Sequence, residues 1–395
     1  MKKIRAKYLF TCEGSPIRNG YVAFDDDLRV ISVSDSGPVE GEKEIYYDGI
    51  LCPGFTNAHC HLELSHEKGL FRQATGMDGF IRQINELREV VGADERLAAM
   101  KREMSSLWEQ GVGAMGDISN CDESFALKAA SPLYTRTFLE VFGTEPKDAD
   151  GIMRDVIGLM EKAVSFGIDA APTPHSPYTS SALLIRKVSE EGLRSGYLSY
   201  HSQESREEED MIRTGTGPLA EDYRNRGLST PPVTGESALI YFLDILQKIH
   251  PAPFREHILL VHDVVADQES IDAAKEVLKN VFWVLCPLSN WFIHRVMPPV
   301  GLLRANGLTL CIGTDSLCSN TVLSMIDEMK CISGHFPEVP LEEILVWATI
   351  NGARAIGVDN RMGSFKPGKQ PGAVFISNVG DDFRLTGGSE SERIL

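Results

Sequence analysis

The chain has 395 residues, 43% of them hydrophobic and 24% charged, which is an ordinary composition for a globular protein with a sizeable core. Its formal net charge of −17 argues against nucleic acid and against an anionic membrane surface as partners, because phosphate groups are bound by clustered lysine and arginine. The first residues contain no apolar stretch of signal-peptide length, and no apolar run is long enough to span a membrane, so we expect a cytoplasmic protein.

The 8 cysteines include no C-x-x-C pair, which disfavours a zinc ribbon or a thioredoxin-type redox site. In a reducing compartment such cysteines behave as small buried apolar residues.

The first fifty residues read as short strands, with a hairpin predicted over 20–35, where two β-rich runs flank an acidic turn. From about residue 51, strand-like runs alternate with helical stretches. One such stretch repeats apolar residues at Leu97, Met100, Met104, Leu107 and Trp108, which is a helical period. Strands are predicted at 53–59, 111–119, 134–143, 168–175, 196–201, 257–264, 281–290 and 308–315.

This alternation predicts an α/β fold, a (β/α)₈ TIM barrel with a parallel inner sheet. A doubly wound open sheet is the alternative, but the chain contains neither G-x-G-x-x-G nor a Walker A motif. The barrel is expected over 51–361, and residues 1–50 with 362–395 are expected to pair into a small β-sandwich domain. The polar stretch 205–236 is too long for a plain connection and is interpreted as an insertion over one end of the barrel. Its acidic run, Glu207–Asp210, is interpreted as the solvated start of a helix.

Histidines collect at the predicted carboxyl ends of the strands, where TIM barrels carry their active groups. A single histidine there is more often a hydrogen-bonded structural residue, but several at one end of the barrel indicate a site. The strand-end residues are His59, His61, His175, His201, His262 and Asp315.

His59 and His61 are two residues apart, so a strand places both imidazoles on one face and Cys60 on the other. Cys60 is therefore expected to be packed rather than to bind a metal. His66 follows after the chain has left the strand, and we expect it in a loop or in a supporting role.

A catalytic zinc usually has three protein ligands and an open position for water. His59, His61 and His201 can supply three neutral nitrogens, and Asp315 can supply an oxygen with one negative charge. This mixed set predicts a divalent metal, with Zn²⁺ expected and Fe²⁺ or Mn²⁺ as alternatives.

Glu204 lies three residues past His201, in the turn beyond the strand. A carboxylate beside a metal can take a proton from water and pass it to a substrate nitrogen. The alternative is a helix-terminal glutamate stabilised by the helix dipole. Its position beside a candidate ligand favours the catalytic interpretation.

The ordered set of H-x-H, a histidine after strand five, a histidine after strand six and "GTDS" after strand eight resembles the amidohydrolase superfamily. Within it, "HSQES", "CPLSN" and "GTDSLCSN" resemble the branch of cytosine, guanine and S-adenosylhomocysteine deaminases and triazine chlorohydrolases. The resemblance covers nearly the whole chain. "HLELS" and "HSPYTS" are similar to the forms found in aminodeoxyfutalosine deaminases.

This resemblance implies that His59, His61 and His201 bind the metal, with Asp315 as ligand and proton acceptor. Glu204 would be the proton shuttle.

The resemblance also implies that His262 holds and polarises the attacking hydroxide and that His175 contacts substrate. Two-metal members of the superfamily carry a carboxylated lysine at the end of strand four. Here that strand ends "APTPHSPYTS", without lysine, so one metal per chain is expected.

The substrate contacts are less constrained by the pattern. Glu63 and Ser65 could hydrogen-bond ring edges or ribose hydroxyls, while Trp291, Phe292 and His294 could border a flat ring. Packing at the barrel rim is the competing interpretation for Trp291 and Phe292.

The predicted reaction is hydrolytic deamination of an amino-substituted nitrogen heterocycle, purine- or nucleoside-like, with release of ammonia. The alternatives are a cyclic amide hydrolase of the imidazolonepropionase kind, a triazine chlorohydrolase-type dehalogenase and a non-enzymatic metal-binding scaffold. A small heterocycle is the expected partner, and a homodimer is left open.

Overall fold

The computed structural model describes residues 1–35, 45–87, 91–381 and 383–395. Its first strands are β1 (Lys2–Leu9), β2 (Ile17–Arg18), β3 (Tyr21–Phe24), β4 (Val30–Ser34) and β5 (Ile45–Cys52). The central strands are β6 (Phe55–Cys60), β7 (Val112–Ser119), β8 (Tyr134–Val141), β9 (Asp169–Pro174), β10 (Tyr197–Ser202), β11 (His257–His262), β12 (Val281–Leu285) and β13 (Leu310–Ile312). The last are β14 (Val374–Val379) and β15 (Leu385–Arg393).

Each of the eight predicted central runs overlaps one of the strands β6 to β13. They form two four-stranded parallel sheets, β6-β7-β8-β9 and β10-β11-β12-β13. These strands are short and buried on both faces, as in β7, where every residue is buried. The predicted α/β architecture with parallel sheets is confirmed.

Hydrogen bonds join the two sheets at both junctions. At the first, the His201 amide donates to the His175 carbonyl at 2.9 Å. At the second, the Thr314 and Asp315 amides donate to the His59 carbonyl at 2.9 and 3.1 Å.

The helices alternate with the central strands. They are α1 (Gly76–Leu87), α2 (Ala93–Glu109), α3 (Phe125–Ala130), α4 (Ala149–Ser165), α5 (Ala182–Ser195), α6 (Arg206–Thr214), α7 (Pro218–Asn225), α8 (Ala238–Leu246), α9 (Gln268–Val277), α10 (Pro287–His294), α11 (Val300–Ala305), α12 (Met325–His335), α13 (Leu341–Val346) and α14 (Gly352–Ala355). Short 3₁₀ segments cover Leu62–Glu67 and Pro146–Asp148, and Trp347–Asn351 forms a π-helical turn. Within the described ranges, no helix combines the length and apolar character needed to cross a bilayer.

The predicted apolar face of α2 is mostly correct. Met100, Met104 and Leu107 are buried and Trp108 packs against the same core, whereas Leu97 is 47% exposed. Leu97 is the fifth residue of the helix, near its amino end, where solvent still reaches the side chain.

Strands from both termini pair into one sheet with the order β15-β14-β5-β1-β3-β4, and β2 pairs with β1. The predicted hairpin corresponds to β3 and β4, which pair in antiparallel register with Tyr21 opposite Ser34. The C-terminal β14 joins through β5, with Val374 opposite Cys52. Because these strands belong to a single mixed sheet, the predicted β-sandwich is not confirmed.

The stretch 205–236 contains α6, α7 and an irregular return. Ser205 caps α6 by accepting a hydrogen bond from the Glu208 amide at 3.1 Å. The Glu208 carboxylate in turn accepts from the Gln203 and Glu204 amides at 3.2 and 2.8 Å. Glu208 and Glu209 are buried. The acidic run does start a helix, as predicted, but the prediction that it is solvated is wrong for these two residues.

Candidate metal and catalytic site

The carboxyl ends of the central strands bring the predicted site residues together. His59 lies in β6, His61 directly follows it, and His201 and His262 lie at the ends of β10 and β11. Asp315 follows β13 by three residues. Left-handed backbone conformations, which are uncommon for non-glycine residues, occur at His262 (φ 81°) and Asp315 (φ 56°).

Four donor atoms converge at this end. The Nε2 atom of His61 lies 3.2 Å from Nε2 of His59 and 3.4 Å from Nε2 of His201. Oδ1 of Asp315 lies 3.7 Å from Nε2 of His59 and 3.5 Å from Nε2 of His61. Nitrogen ligands at about 2.0–2.1 Å from a tetrahedral zinc lie about 3.3–3.4 Å apart. The spacing of the donors therefore fits a single divalent ion.

The charge states of these residues also fit a metal site. Burial lowers the pKa of His61 to about 4 and lowers that of His201 well below its usual range. Burial opposes ionisation of Asp315, but its hydrogen bond with His59 and the nearby His61 and His262 rings hold its pKa well below the usual range. Neutral imidazoles and an ionised carboxylate are the forms that bind a metal ion.

The far side of His201 faces a carboxylate that the sequence reasoning did not single out. Glu140, near the end of β8, places Oε1 3.3 Å from Nδ1 of His201, and the His175 ring stacks on His201 with centroids 4.4 Å apart. Asn120 donates to Oε2 of Glu140 at 3.3 Å. Because Nε2 of His201 faces His61, Glu140 is placed to orient the ring. The strand-end argument that found the histidines would also have found Glu140.

Glu204 and His262 lie side by side at the wall of the same cavity. Oε1 of Glu204 is 3.6 Å from Nε2 of His262. Burial and the charge of Asp315 raise the pKa of Glu204 well above its usual range, which suits a carboxyl group that both gives and takes protons. Burial lowers the pKa of His262 to about 3, so the ring is neutral.

The predicted substrate contacts are distributed unevenly. His175 lines the cavity, and its Nδ1 lies 2.9 Å from Oγ1 of Thr179. The Glu63 carboxylate accepts from the Asn120 amide at 3.0 and 2.9 Å and from the Cys121 thiol at 3.4 Å. Burial raises the pKa of Glu63 to about 7. Among the described residues Glu63 does not line the cavity, and its contact with substrate stays a prediction.

The three α10 residues predicted to border the substrate, Trp291, Phe292 and His294, are also not among the described residues that line the cavity. Trp291 is 37% exposed and lies against the His335 ring, with centroids 5.0 Å apart. Phe292 is buried in a cluster with Phe71, and His294 is half-buried at the last residue of the helix. Contacts of Trp291 and His294 with substrate likewise stay predictions.

The other residues considered in and just after the H-x-H motif are packed. Cys60 is fully buried in the core and Ser65 donates to the Leu62 carbonyl at 2.6 Å. His66 lies in the 3₁₀ segment, with Nδ1 3.1 Å from the Glu63 carbonyl.

Three of the four donor residues, His61, His201 and Asp315, line a cavity of about 390 Å³. His175, Glu204 and His262 line the same cavity. The apolar part of its wall consists of Met77, Phe80, Ile81, Ile84, Tyr178 and Leu228. Tyr223, Arg226 and Leu228 come from the stretch 205–236, which thus contributes to the cavity wall.

Comparison with known proteins gives consistent relatives. The chain is 25% identical over 370 residues to an adenosine deaminase of Helicobacter pylori, covering 90% of this chain and 88% of that one. It is 26% identical over 358 residues to an aminodeoxyfutalosine deaminase of Nitratiruptor, covering 87% and 84%.

Solved structures share the fold. Aminofutalosine deaminase of Helicobacter pylori in complex with methylthio-coformycin superposes with a TM-score of 0.79 at 22% identity, covering 98% of this chain and 94% of that one. An adenosine deaminase from Xanthomonas campestris with bound zinc superposes with a TM-score of 0.73 at 20% identity, covering 95% and 84%.

The family model that matches is the amidohydrolase family, over residues 50–388. That range includes every donor atom described above and confirms the resemblance drawn from the motifs. This chain belongs to the amidohydrolase family.

Proposed function

We propose that the chain is a metal-dependent hydrolytic deaminase that removes the amino group from an adenine-type ring in a nucleoside-like substrate. The observation that carries this is the convergence of the His59, His61, His201 and Asp315 donors on a cavity that Glu204 and His262 also face. Relatives named as deaminases cover nearly the whole chain and support hydrolysis at a C–N bond.

One divalent ion would be held by Nε2 of His59, His61 and His201 and by Oδ1 of Asp315. When bound, such an ion supplies Lewis acidity, which lowers the pKa of a water molecule toward about 7. Zn²⁺ is the proposed ion, with Fe²⁺ and Mn²⁺ as alternatives, and the zinc in the Xanthomonas campestris neighbour supports it. The absence of lysine from β9 supports one ion rather than two.

The chain's own groups handle the protons. Glu204 takes a proton from the attacking water and delivers it to the ring nitrogen beside the carbon under attack. Nε2 of His262, 3.6 Å from Glu204, hydrogen-bonds the attacking oxygen. Asp315 accepts the second proton of the water and returns it to the amino group, which leaves as ammonia while the carbon retains the oxygen.

The apolar wall points to the rest of the substrate. Met77, Phe80 and Ile84 of α1 face the same cavity as Leu228. Burial of apolar surface favours binding by about 25 cal/mol per Å², so a nucleoside with an apolar or aromatic 5′ substituent would bind better than the free base. The methylthio-coformycin complex of the structural neighbour supports this choice.

We also propose that the two four-stranded sheets form a single eight-stranded barrel over residues 51–361, closed by the hydrogen bonds at both junctions. In this proposal residues 1–50 and 362–395 make up the smaller domain, and 205–236 is an insertion above the carboxyl ends of the strands.

The test is an ammonia-release assay on zinc-loaded protein. Adenosine, 5′-methylthioadenosine and aminodeoxyfutalosine are compared with adenine, a pterin, cytosine and an aminotriazine, with metal analysis of the same sample. We expect the highest kcat/KM for an adenine nucleoside with an apolar 5′ substituent. No ammonia from any compound contradicts the proposal. Ring opening of imidazolonepropionate without ammonia would indicate a cyclic amide hydrolase. Chloride release from a chlorotriazine would indicate a dehalogenase.

A further inference from the structure

The side chain of Asn290 contacts Nδ1 of His262, whereas Nε2 of the same ring is the nitrogen near Glu204. Its Nδ2 atom lies 3.0 Å from Nδ1 of His262. Both residues are almost fully buried, Asn290 at 0% and His262 at 1% exposure. A buried contact of this kind fixes the state of both partners, because neither can exchange it for water.

A neutral imidazole carries one N–H, so the partner of one ring nitrogen determines the state of the other. When the amide NH₂ of Asn290 donates, Nδ1 of His262 accepts and the proton resides on Nε2. When the amide oxygen accepts instead, the proton resides on Nδ1 and Nε2 presents a lone pair to the cavity. The two tautomers give His262 opposite roles.

The geometry at Nδ1 favours the first state. The atom 3.0 Å from Nδ1 is the amide nitrogen of Asn290, which can only donate, so Nδ1 accepts and the proton resides on Nε2. His262 belongs with His59 and His201 to a group whose donor atoms lie close enough together to hold an ion. A protonated Nε2 cannot bind that ion, which leaves His262 to act on the attacking water.

The element that carries Asn290 is itself held in place. The helix α10 begins at Pro287, and its Leu288 amide donates to Oε2 of Glu328 at 2.9 Å. Ser289, which precedes Asn290 in this helix, donates to Oδ2 of Asp315 at 2.6 Å. Two consecutive residues, Ser289 and Asn290, therefore contact Asp315 and His262. These are the two groups that the proposed mechanism places beside the attacking water.

We infer that Asn290 is a positioning residue that keeps His262 in the tautomer protonated on Nε2, so that His262 donates a hydrogen bond to the attacking water and does not bind the metal. This inference rests on the proposed function for its catalytic consequence. The tautomer itself can be read without any substrate.

The test uses the full chain loaded with Zn²⁺ and containing ¹⁵N-labelled histidine. Long-range ¹H–¹⁵N correlation spectra identify which ring nitrogen is protonated, and the His262 signals are assigned by comparison with His262→Asn. We expect Nε2–H in the wild-type protein. In Asn290→Asp, which keeps the shape and offers only acceptor oxygens, we expect a proton on Nδ1.

Kinetics and zinc content separate positioning from folding. Asn290→Asp should keep its zinc while kcat falls about 10–100-fold with KM little changed, since removing a supporting contact typically has an effect of this size. The matched control is Asn280→Asp, just before β12, where the amide nitrogen lies 3.5 Å from the Arg255 carbonyl. That variant should behave as wild type.

An Nδ1–H tautomer in the wild-type protein overturns the inference, and this result needs only the His262→Asn protein for assignment, whether or not Asn290→Asp folds. An Asn290→Asp protein that loses zinc along with activity also overturns it, because Asn290 would then support the metal site as a whole. If instead no compound yields ammonia while the spectra show Nε2–H, the proposed function fails and the tautomer assignment stands.

Discussion

The two carboxylate oxygens of Asp315 contact different kinds of partner. Oδ2 accepts hydrogen bonds from Ser289 and Ser319, both at 2.6 Å. Oδ1 faces His59 and His61 at 3.7 and 3.5 Å. The two hydroxyls orient the carboxylate, so Oδ1 is held toward the proposed metal position without a search over rotamers. Preorganised sites gain their rate in this way.

Replacing Glu204 with glutamine separates proton transfer from metal binding. The amide is isosteric but cannot shuttle a proton, so we expect kcat to fall about 10²–10⁴-fold. Zinc content should stay at the wild-type value, because the proposed ligands are other residues. Steady-state kinetics with 5′-methylthioadenosine and metal analysis of the same protein check both expectations.

The control for that variant is Glu221→Gln on α7, an exposed glutamate of the stretch 205–236. It should leave kcat unchanged. Full activity in Glu204→Gln with its zinc retained would show that another group carries the proton.

His257 gives a pH dependence that is independent of the site. It lies at the amino end of β11, its Nδ1 donates to the Arg354 carbonyl at 2.8 Å, and burial lowers its pKa. A lowered folded pKa means that the unfolded chain binds more protons as the pH falls below about 6.5, so His257 reduces stability on acidification.

In His257→Asn the side-chain amide can still donate to Arg354, but no group titrates there. We therefore expect the free energy of unfolding to decrease less steeply between pH 7 and pH 5 than in the wild-type protein. Urea unfolding at several pH values measures this slope. Parallel curves for the two proteins would show that His257 does not titrate differently in the folded and unfolded states.

The convergence of the four candidate donors could be predicted from the sequence, whereas the surroundings of Glu63 could not, and the reason is physical. His59 and His61 share a face because side chains alternate along a strand, and the carboxyl ends of parallel strands converge. One partner of Glu63 is the backbone amide of Asn120, which lies in the loop after β7. Such a long-range loop contact leaves no periodic trace in the sequence.

At the scale of elements, a buried ion pair supports the segment that follows the H-x-H motif. Lys128 on α3 pairs with Asp117 on β7, and both side chains are fully buried. Oδ1 of Asp117 accepts the Leu62 amide at 2.9 Å, directly after the H-x-H stretch. The pair therefore connects α3, β7 and the exit of β6.

Lys128→Met should destabilise the protein by about 3–5 kcal/mol, because it leaves the buried Asp117 carboxylate without its counter-charge. The matched control is Lys162→Met, since Lys162 pairs with Asp122 at an exposed position and should cost about 1 kcal/mol or less. Denaturant unfolding of both variants gives the comparison. Equal losses would mean that burial adds nothing to the Lys128 pair.

Element-level predictions failed where a polar residue had a tertiary partner. The acidic run of α6 was interpreted as solvated, yet Glu209 accepts from the Gln203 side chain at 2.9 Å and from the Ala238 amide at 3.1 Å. Composition alone favours solvent for such a run. The capping of backbone amides by Glu208 and Glu209 becomes visible only once α6 and α8 lie together.

For the whole molecule, the proposed metal site lies across the boundary between the two parallel sheets. His59 belongs to the first sheet and His61 directly follows it, whereas His201 and Asp315 belong to or follow strands of the second. A bound ion would therefore link the sheets at the same places where the His201 amide bonds to His175 and the Asp315 amide bonds to His59.

Removing the metal should loosen these junctions before the rest of the fold, because ligand binding stabilises the folded form that contains the assembled site. We expect chelation to increase hydrogen exchange at the amides of His201, Thr314 and Asp315, with little change in β1 and β5 of the terminal sheet. Exchange measured by mass spectrometry on zinc-loaded and chelated protein checks this. His201→Ala, which lacks one ligand, should show the fast pattern with or without zinc. Uniform protection changes across both sheets and the terminal strands would instead indicate that the ion stabilises the molecule as a single unit.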